Sequence, residues 1–339
     1  MAQGRRAEIL LLVSTVLVCG AVAEVAVRWL AADVPRPTGY APVWTKGRDV
    51  WPRNALGYRD LERSRAKPPG VKRVVSLGDS FAWGSRVEWE DAYPYRLGRG
   101  LRMRRGEPWE VVNLAMPGMN TVEQARQLAA EGMAYEPDVV VLGYCLNDAE
   151  SREAYRRRHE TDLAQRAERR AARREGRPLP PASQSAPDGW AGHSALFRFV
   201  ASRLSATAQN RQRIRDYRAL YADDAPGWVA GRRSLAEMGA ACRERRIPFV
   251  VVIFPLFGNP LDESYPFAEL HTGVASAATR AGAQVVDLLP AYRGLRWELL
   301  VADGVEDEHP NEIAHRIAAD VLVGALDEAL PWRARAAPR

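Results

Sequence analysis

The sequence predicts an α/β domain built on a doubly wound parallel sheet with helices on both faces. Short apolar runs such as residues 139–143 and 247–254 have the composition of strands buried on both sides. They alternate with longer segments in which apolar residues recur at helical spacing, and this alternation is typical of a parallel sheet. An apolar N-terminal segment and an Arg-rich helical insertion at 150–225 lie outside the pattern.

The N-terminal segment predicts a helix that crosses a membrane. Arg5 and Arg6 precede residues 9–27, which contain a single acid, Glu24. This length is close to the roughly 20 residues that a spanning helix needs. We therefore expect a cytoplasmic tail at 1–8, an anchor at 9–30 and, because long C-terminal domains are translocated largely regardless of flanking charge, an exported remainder.

Three other interpretations of this segment stay open. Residues 21–23 have the small-x-small form of a signal-peptidase site, so the segment could be a cleaved signal peptide. Lipoprotein processing at Cys19 fits less well, because Val18 is bulky where a small residue is expected. A buried helix of the fold is the third alternative. Retained anchor, signal peptide and lipoprotein all place the rest of the chain outside the cytoplasm.

The first half of the predicted domain follows a linker. Residues 31–70 are rich in Pro, Gly and Arg without a sustained period, which is typical of a linker, and 54–59 is a candidate docking segment. The domain itself is expected over 71–330, with a tail at 331–339. Its first strand ends at Gly78, and the next elements are a helix at 93–101, a strand at 109–115, a helix at 122–133 capped by Asn120 or Thr121, and a strand at 139–143.

The second half resumes after the insertion. Apolar spacing predicts helices at 234–246, 267–281 and 312–330, with strands at 247–254 and 283–287 between them. The insertion contains ten Arg and five acids in 151–177, followed by a Pro-rich stretch, and helical spacing returns at 195–221. A solvated helix with a loose loop is one interpretation. A lid or a membrane-facing arm that binds an anionic lipid or polysaccharide is the other.

Composition excludes several classes of function. The net charge of +6 is mild, and only three of the 48 basic residues are Lys. Because no zinc-finger, RNA-binding or stacked-aromatic pattern accompanies this charge, we expect no nucleic-acid partner. The three cysteines are far apart and predict neither a disulfide framework nor a metal site.

Ser80 is the candidate nucleophile. The segment Gly78-Asp79-Ser80 follows an apolar strand and precedes a helix, which holds the hydroxyl at the edge of the sheet. A serine needs a base to accept its proton, and histidine suits neutral pH. His309 is the candidate base, because it lies in a polar loop at the same end of the sheet with carboxylates beside it. The other four histidines are interpreted as surface or packing residues: His159, His193, His271 and His315.

Four segments in this order resemble the SGNH/GDSL hydrolase superfamily, in particular its bacterial membrane-anchored members. They are Gly78-Asp79-Ser80-Phe81, Gly118, Asn147-Asp148 and His309-Pro310-Asn311. The resemblance implies the SGNH hydrolase fold, which has a flavodoxin-like parallel sheet, with Ser80 as nucleophile and His309 as general base. It also implies an oxyanion hole formed by the backbone N–H groups of Ser80 and Gly118 and the side-chain amide of Asn147.

The chain departs from the family pattern at two points. Cys145 occupies the position where the family's third segment usually has Gly, and it is a less convincing nucleophile than Ser80 because no base is marked near it. The family's acid usually lies three residues before the histidine, where this chain has Glu306, but some relatives have it two before, as Asp307 is here. Asp307 is favoured, with Glu306 or a backbone carbonyl as alternatives.

The expected function is an exported serine esterase that needs no cofactor or metal. It would be a single-pass protein of the bacterial inner membrane with its catalytic domain in the periplasm, cleaving an acyl ester, such as an O-acetyl group, of an envelope carbohydrate or lipid. One alternative is an O-acyltransferase that modifies envelope polysaccharide with the same triad. The other is a non-catalytic carbohydrate-binding protein on this fold.

Overall fold

Five parallel strands form one sheet in the part of the chain that the structure describes. The computed structural model describes residues 2–32, 53–175, 194–302 and 308–329. The strands are β1 Lys72–Gly78, β2 Trp109–Asn113, β3 Val139–Tyr144, β4 Phe249–Ile253 and β5 Gln284–Asp287. Their order across the sheet is β2-β1-β3-β4-β5, every neighbouring pair being parallel. This is the flavodoxin-like, doubly wound order with its switch point between β1 and β3, and it confirms the predicted fold class.

The α-helices of the described residues precede, connect and follow these strands. They are α1 Ala2–Ala32, α2 Ser80–Trp83, α3 Tyr93–Arg105, α4 Thr121–Ala130, α5 Arg152–Arg174, α6 Ala195–Leu220, α7 Pro226–Glu244, α8 Ala268–Arg280, α9 Leu289–Tyr292 and α10 Glu312–Ala329. The cap of α4 is Asn120, whose side chain accepts from Glu123 N–H while the Glu123 carboxylate accepts from Asn120 N–H. Helix α7 begins eight residues earlier than predicted, because Pro226 suits a first turn and Trp228 is buried.

The chain forms two compact units. One comprises 1–37 and 158–215, and the other comprises 38–157 and 216–339. The first unit holds α1, most of α5 and most of α6. Within α1, residues Leu11–Arg28 are long and apolar enough to cross a membrane, a test that signal sequences also pass. The second unit holds the whole sheet, whose central strands β3 and β4 are fully buried.

A buried arginine connects the segment before β1 to the loop after α2. The Arg59 side chain is 1% exposed and donates to the backbone carbonyls of Trp83, Gly84 and Val87, the last at 2.6 Å. Burial lowers the pKa of its guanidinium to about 10. The buried Arg59 side chain therefore fixes the end of α2 and the loop that follows it by binding three backbone carbonyls.

Replacing Arg59 by Ala is expected to lower the free energy of unfolding by about 3 kcal/mol, because it removes a buried charged donor that three backbone carbonyls share. Urea denaturation of the two proteins measures the difference. Arg104→Ala is the matched control, since Arg104 is exposed and the loss of its ion pair with Asp327 should cost under about 1 kcal/mol. Equal losses in the two variants would contradict the structural role given to Arg59.

Candidate active site

Ser80 is the first residue of α2, directly beyond the end of β1. The turn requires a glycine at position 78, where φ is +150° and an added Cβ would lie 2.6 Å from Ala82 Cβ. Asp79 then caps the short helix, its Oδ1 accepting from Phe81 N–H at 2.9 Å. These two residues place the Ser80 side chain at the carboxyl edge of the sheet, half-buried.

His309 lies beside this serine although 229 positions separate the two in sequence. Its Nε2 is 2.9 Å from Ser80 Oγ. Ser80 Oγ is also 3.5 Å from Asp79 Oδ2, so the hydroxyl proton has two acceptors at unequal distances. The shorter contact is the geometry that a histidine base needs to accept a proton from a serine.

Asn311 fixes the position of the segment that carries His309. Its side-chain oxygen accepts from the N–H groups of Ile313 and Ala314 at 3.0 and 3.1 Å, which caps α10. The same side chain donates to Leu299 O at 2.8 Å. The His309 carbonyl in turn accepts from Ala302 N–H at 3.0 Å. The histidine and the residue two positions after it are therefore both tied to the backbone.

An aromatic cluster lies against the imidazole. The Phe81 ring is 5.6 Å from the His309 ring, centroid to centroid, and packs in turn on Phe254 and Phe257. Phe81 is 6% exposed and the other two phenylalanines are fully buried. The cluster limits the orientations open to the imidazole and excludes water from one side of it.

Asn147 follows β3 and reaches the same edge. Its Nδ2 donates to Oδ2 of Asp79 at 3.1 Å, and Asp79 is the residue directly before Ser80. Asp79 is completely buried, and burial raises the pKa of its carboxyl above its ordinary value. The amide nitrogen carries two hydrogens, so one remains for a second acceptor.

Gly118 lies in a tight turn after β2. Met119 N–H donates to Met116 O at 3.2 Å, and Gly118 has φ +77°, which matches a type II turn with Pro117 at its second position. Met116 N–H donates to Gly78 O, also at 3.2 Å. This bond ties the turn to the end of β1, so that Gly118 and Ser80 belong to the same sheet edge.

Two residues at the start of α5, outside the four sequence segments, contact this turn. Arg152 Nη1 donates to Gly118 O at 3.1 Å, and its Nε pairs with Glu123 Oε1 at 3.3 Å. An added Cβ at Gly118 would lie 2.3 Å from Tyr155 Oη, so the tyrosine ring covers this glycine. Sequence reasoning missed both residues, because the surrounding Arg-rich run suggests a solvated helix. Their position directly after Asn147 was the one signal that could have found them.

The remaining candidate residues are Asp307, Glu306, Cys145 and His315. Asp307 and Glu306 lie outside the described residues. Cys145 is 1% exposed, and burial raises the pKa of its thiol well above the ordinary value, which suppresses the reactive thiolate. His315 is fully buried, with a pKa lowered to about 3 by burial. Among the described residues, no group of three or more His, Cys, Asp or Glu side chains is arranged to hold a metal ion.

Comparison with known proteins adds a family match. Residues 76–317, more than half of the chain, match the model of the GDSL-like lipase/acylhydrolase family. No curated protein sequence matches significantly.

Solved structures that are similar to this chain include the following three. LAE5, an alpha/beta hydrolase enzyme from the metagenome of Lake Arreo, Spain, is 17% identical, with 76% of this chain and 95% of that chain covered and a TM-score of 0.44. TesA is 15% identical, with coverages of 76% and 100% and a TM-score of 0.43. The lipase/acylhydrolase from Enterococcus faecalis is 15% identical, with coverages of 78% and 100% and a TM-score of 0.42.

Proposed function

Because the chain belongs to the GDSL-like lipase/acylhydrolase family and is therefore an ester-cleaving serine hydrolase, we propose that it cleaves an acyl ester through an acyl-enzyme on Ser80. The single observation that carries this proposal is the 2.9 Å contact between Ser80 Oγ and His309 Nε2. Two other histidines have different partners, since His271 contacts Asp287 at 2.8 Å and His315 accepts from a backbone N–H at 3.2 Å. The proposal assigns no cofactor or metal to the reaction.

The proposed reaction has two halves. Ser80 Oγ attacks the acyl carbon while its proton passes to His309 Nε2, and His309 then donates that proton to the departing alkoxide, which leaves as an alcohol. Water next attacks the acyl-enzyme, giving its proton to His309, and the acid departs as Ser80 regains its hydrogen. Asp307 would hold the protonated imidazole by accepting from Nδ1, with Glu306 or a backbone carbonyl as the alternative acceptor.

Negative charge develops on the acyl oxygen in both halves. We assign its stabilisation to the N–H groups of Ser80 and Gly118 and to the amide hydrogen of Asn147 that Asp79 does not occupy. Each aimed donor is worth on the order of 3 kcal/mol of barrier. The Arg152 and Glu123 contacts support this assignment, because they hold the carbonyl side of Gly118 and so orient the turn.

The proposed location is the periplasmic face of the bacterial inner membrane, with α1 as a retained anchor. The support is the continuous helix from Ala2 to Ala32, which runs on past the small residues at 21–23 without a break. Intact-mass measurement of the protein purified from membranes distinguishes a retained anchor from a cleaved signal peptide. A mass that includes residues 1–23 supports the anchor, and a mass that lacks them shows a cleaved signal peptide.

The reaction class is tested by following the acyl group. Purified protein is incubated with p-nitrophenyl acetate, with acetylated mannan and with short-chain lipid esters, each with and without a sugar acceptor. Release of free acid that is independent of the acceptor supports the esterase. Faster loss of donor with acyl transfer to the sugar supports the O-acyltransferase alternative. Glycan binding without turnover of any ester would support the non-catalytic alternative and overturn the proposal.

Tyr155 offers a test of the acyl side of the site. Because its ring covers Gly118, Tyr155→Ala should open space beside the acyl chain and raise the ratio of kcat/KM for p-nitrophenyl hexanoate to that for the acetate by about tenfold. Steady-state kinetics on the two esters measure the ratio. Tyr155→Phe keeps the ring and should leave the ratio unchanged. An unchanged ratio in Tyr155→Ala would place the acyl chain elsewhere.

A further inference from the structure

A carboxylate of α1 binds the first residues of α6. Glu24 accepts from Ser194 Oγ and Ala195 N–H at 2.7 Å each and from Leu196 N–H at 2.8 Å. It also pairs with Arg28 at 2.8 Å, one turn along α1. All of these residues belong to the same compact unit.

This contact stabilises both the first turn of α6 and the Glu24 carboxylate. The first N–H groups of a helix have no acceptor within the helix, and a negative charge is stabilised there. Glu24 in turn lies inside the apolar stretch Leu11–Arg28, where an acid is costly unless it is paired. Glu24 precedes Arg28, the last residue of this stretch, by four residues. The start of α6 therefore lies roughly 6 Å inside the apolar stretch, measured along α1 from Arg28.

The first turns of α6 carry an exposed apolar face. Phe197, Val200 and Leu204 are spaced by three and four residues, which places them on one side of the helix. Their exposed fractions are 43%, 45% and 68%. Phe199, which is 44% exposed, lies on another side of α6, where the Arg203 guanidinium is 5.2 Å from its ring centroid. Basic residues beside an apolar face are typical of helices that bind membrane interfaces.

We propose that this face of α6, defined by Phe197, Val200 and Leu204, lies in the acyl chains at the edge of the same bilayer that α1 crosses. The inference rests on the proposed anchoring by α1. We assign lipid as the partner of this face for two reasons. Glu24 holds the start of α6 beside the apolar stretch of α1. The side chains of that stretch, such as Leu11, Leu17 and Val25, are themselves exposed. The Arg-rich insertion then has a membrane contact of its own, made by the apolar face of a helix rather than by its charges.

The test uses fluorescent probes on the full-length chain in vesicles of phosphatidylcholine and phosphatidylglycerol. Native Cys19 lies within α1 and is exposed, whereas Cys145 and Cys242 are buried, so an NBD label on the wild type reports on the anchor. In a Cys19→Ser background, Leu204→Cys reports on the proposed face. Gln209→Cys is the matched control, because Gln209 is exposed on the opposite side of α6. Acyl chains that carry bromine quench only probes in contact with them.

The expected result is quenching at position 204 that exceeds quenching at 209 by about threefold or more, since an interfacial helix buries only its apolar face. Adding Glu24→Ala should abolish the difference while quenching at Cys19 persists, because the anchor remains and the cap is lost. Glu24→Gln keeps one acceptor oxygen and should therefore retain part of the difference in quenching between positions 204 and 209.

The failures of the two proposals are distinct. Quenching at Cys19 without quenching at 204 overturns the inference about α6 and leaves the anchor intact. Absence of quenching at both positions shows that α1 is not in the bilayer, which removes the anchor and the inference together. A probe at 204 that is shielded from lipid and cross-links between two copies overturns the inference in favour of a self-association surface.

Discussion

Ser80→Ala is expected to lower kcat for p-nitrophenyl acetate by about 10⁴- to 10⁶-fold, to the level set by the remaining oxyanion donors. The physical reason is that no covalent bond to the acyl carbon can form once Oγ is absent. A fluorophosphonate probe should label the wild type on Ser80 and fail to label the variant. His309→Ala should cause a loss of similar size, since an unassisted hydroxyl is a weak nucleophile.

The two losses should not add. If Ser80 and His309 act as one unit through their 2.9 Å contact, the double variant should be about as slow as either single variant. Thermal denaturation supplies the control, because Ser80 is only half-buried and its truncation should leave the melting temperature nearly unchanged. Full labelling of Ser80→Ala, with activity preserved, would show that another residue is the nucleophile.

Asn147→Ala is expected to lower kcat by about 10²- to 10³-fold with little change in KM, because the amide would bind the acyl oxygen most strongly when that oxygen carries charge. The measurement is steady-state kinetics with p-nitrophenyl acetate. The variant also deprives the buried Asp79 carboxyl of a donor, so its stability needs to be measured in parallel.

Gln124→Ala is the matched control for that second effect. Gln124 Nε2 donates to Met119 O at 3.2 Å and approaches the buried Asp148 carboxyl at 3.3 and 3.4 Å, so its loss also deprives a buried carboxyl of a donor. Its removal should lower stability and leave kcat within a few-fold of the wild type. A rise in KM at constant kcat in Asn147→Ala would assign the amide to substrate binding instead of the transition state.

Local sequence was enough to predict the elements and the edge of the sheet at which polar residues collect. Residues 139–143 and 249–253 are apolar throughout because both faces of a central parallel strand are buried, and this composition is visible without any partner. The capping box at Asn120 and Glu123 is likewise a short-range signal. The start of α7 was missed because the signal at Pro226 marks a helix start and a turn equally well.

The sequence by itself therefore determined the fold class, a nucleophile candidate on a strand-turn-helix, Ser80, and a candidate base, His309, while the family resemblance supplied the expected oxyanion donors. Only the tertiary structure decided that His309 Nε2 meets Ser80 Oγ across 229 positions, that Tyr155 covers Gly118, and that Glu24 caps α6. The reason is physical. Periodicity, caps and strand composition arise from neighbours within a few residues, whereas these contacts depend on how distant segments are placed against one another, which no local pattern records.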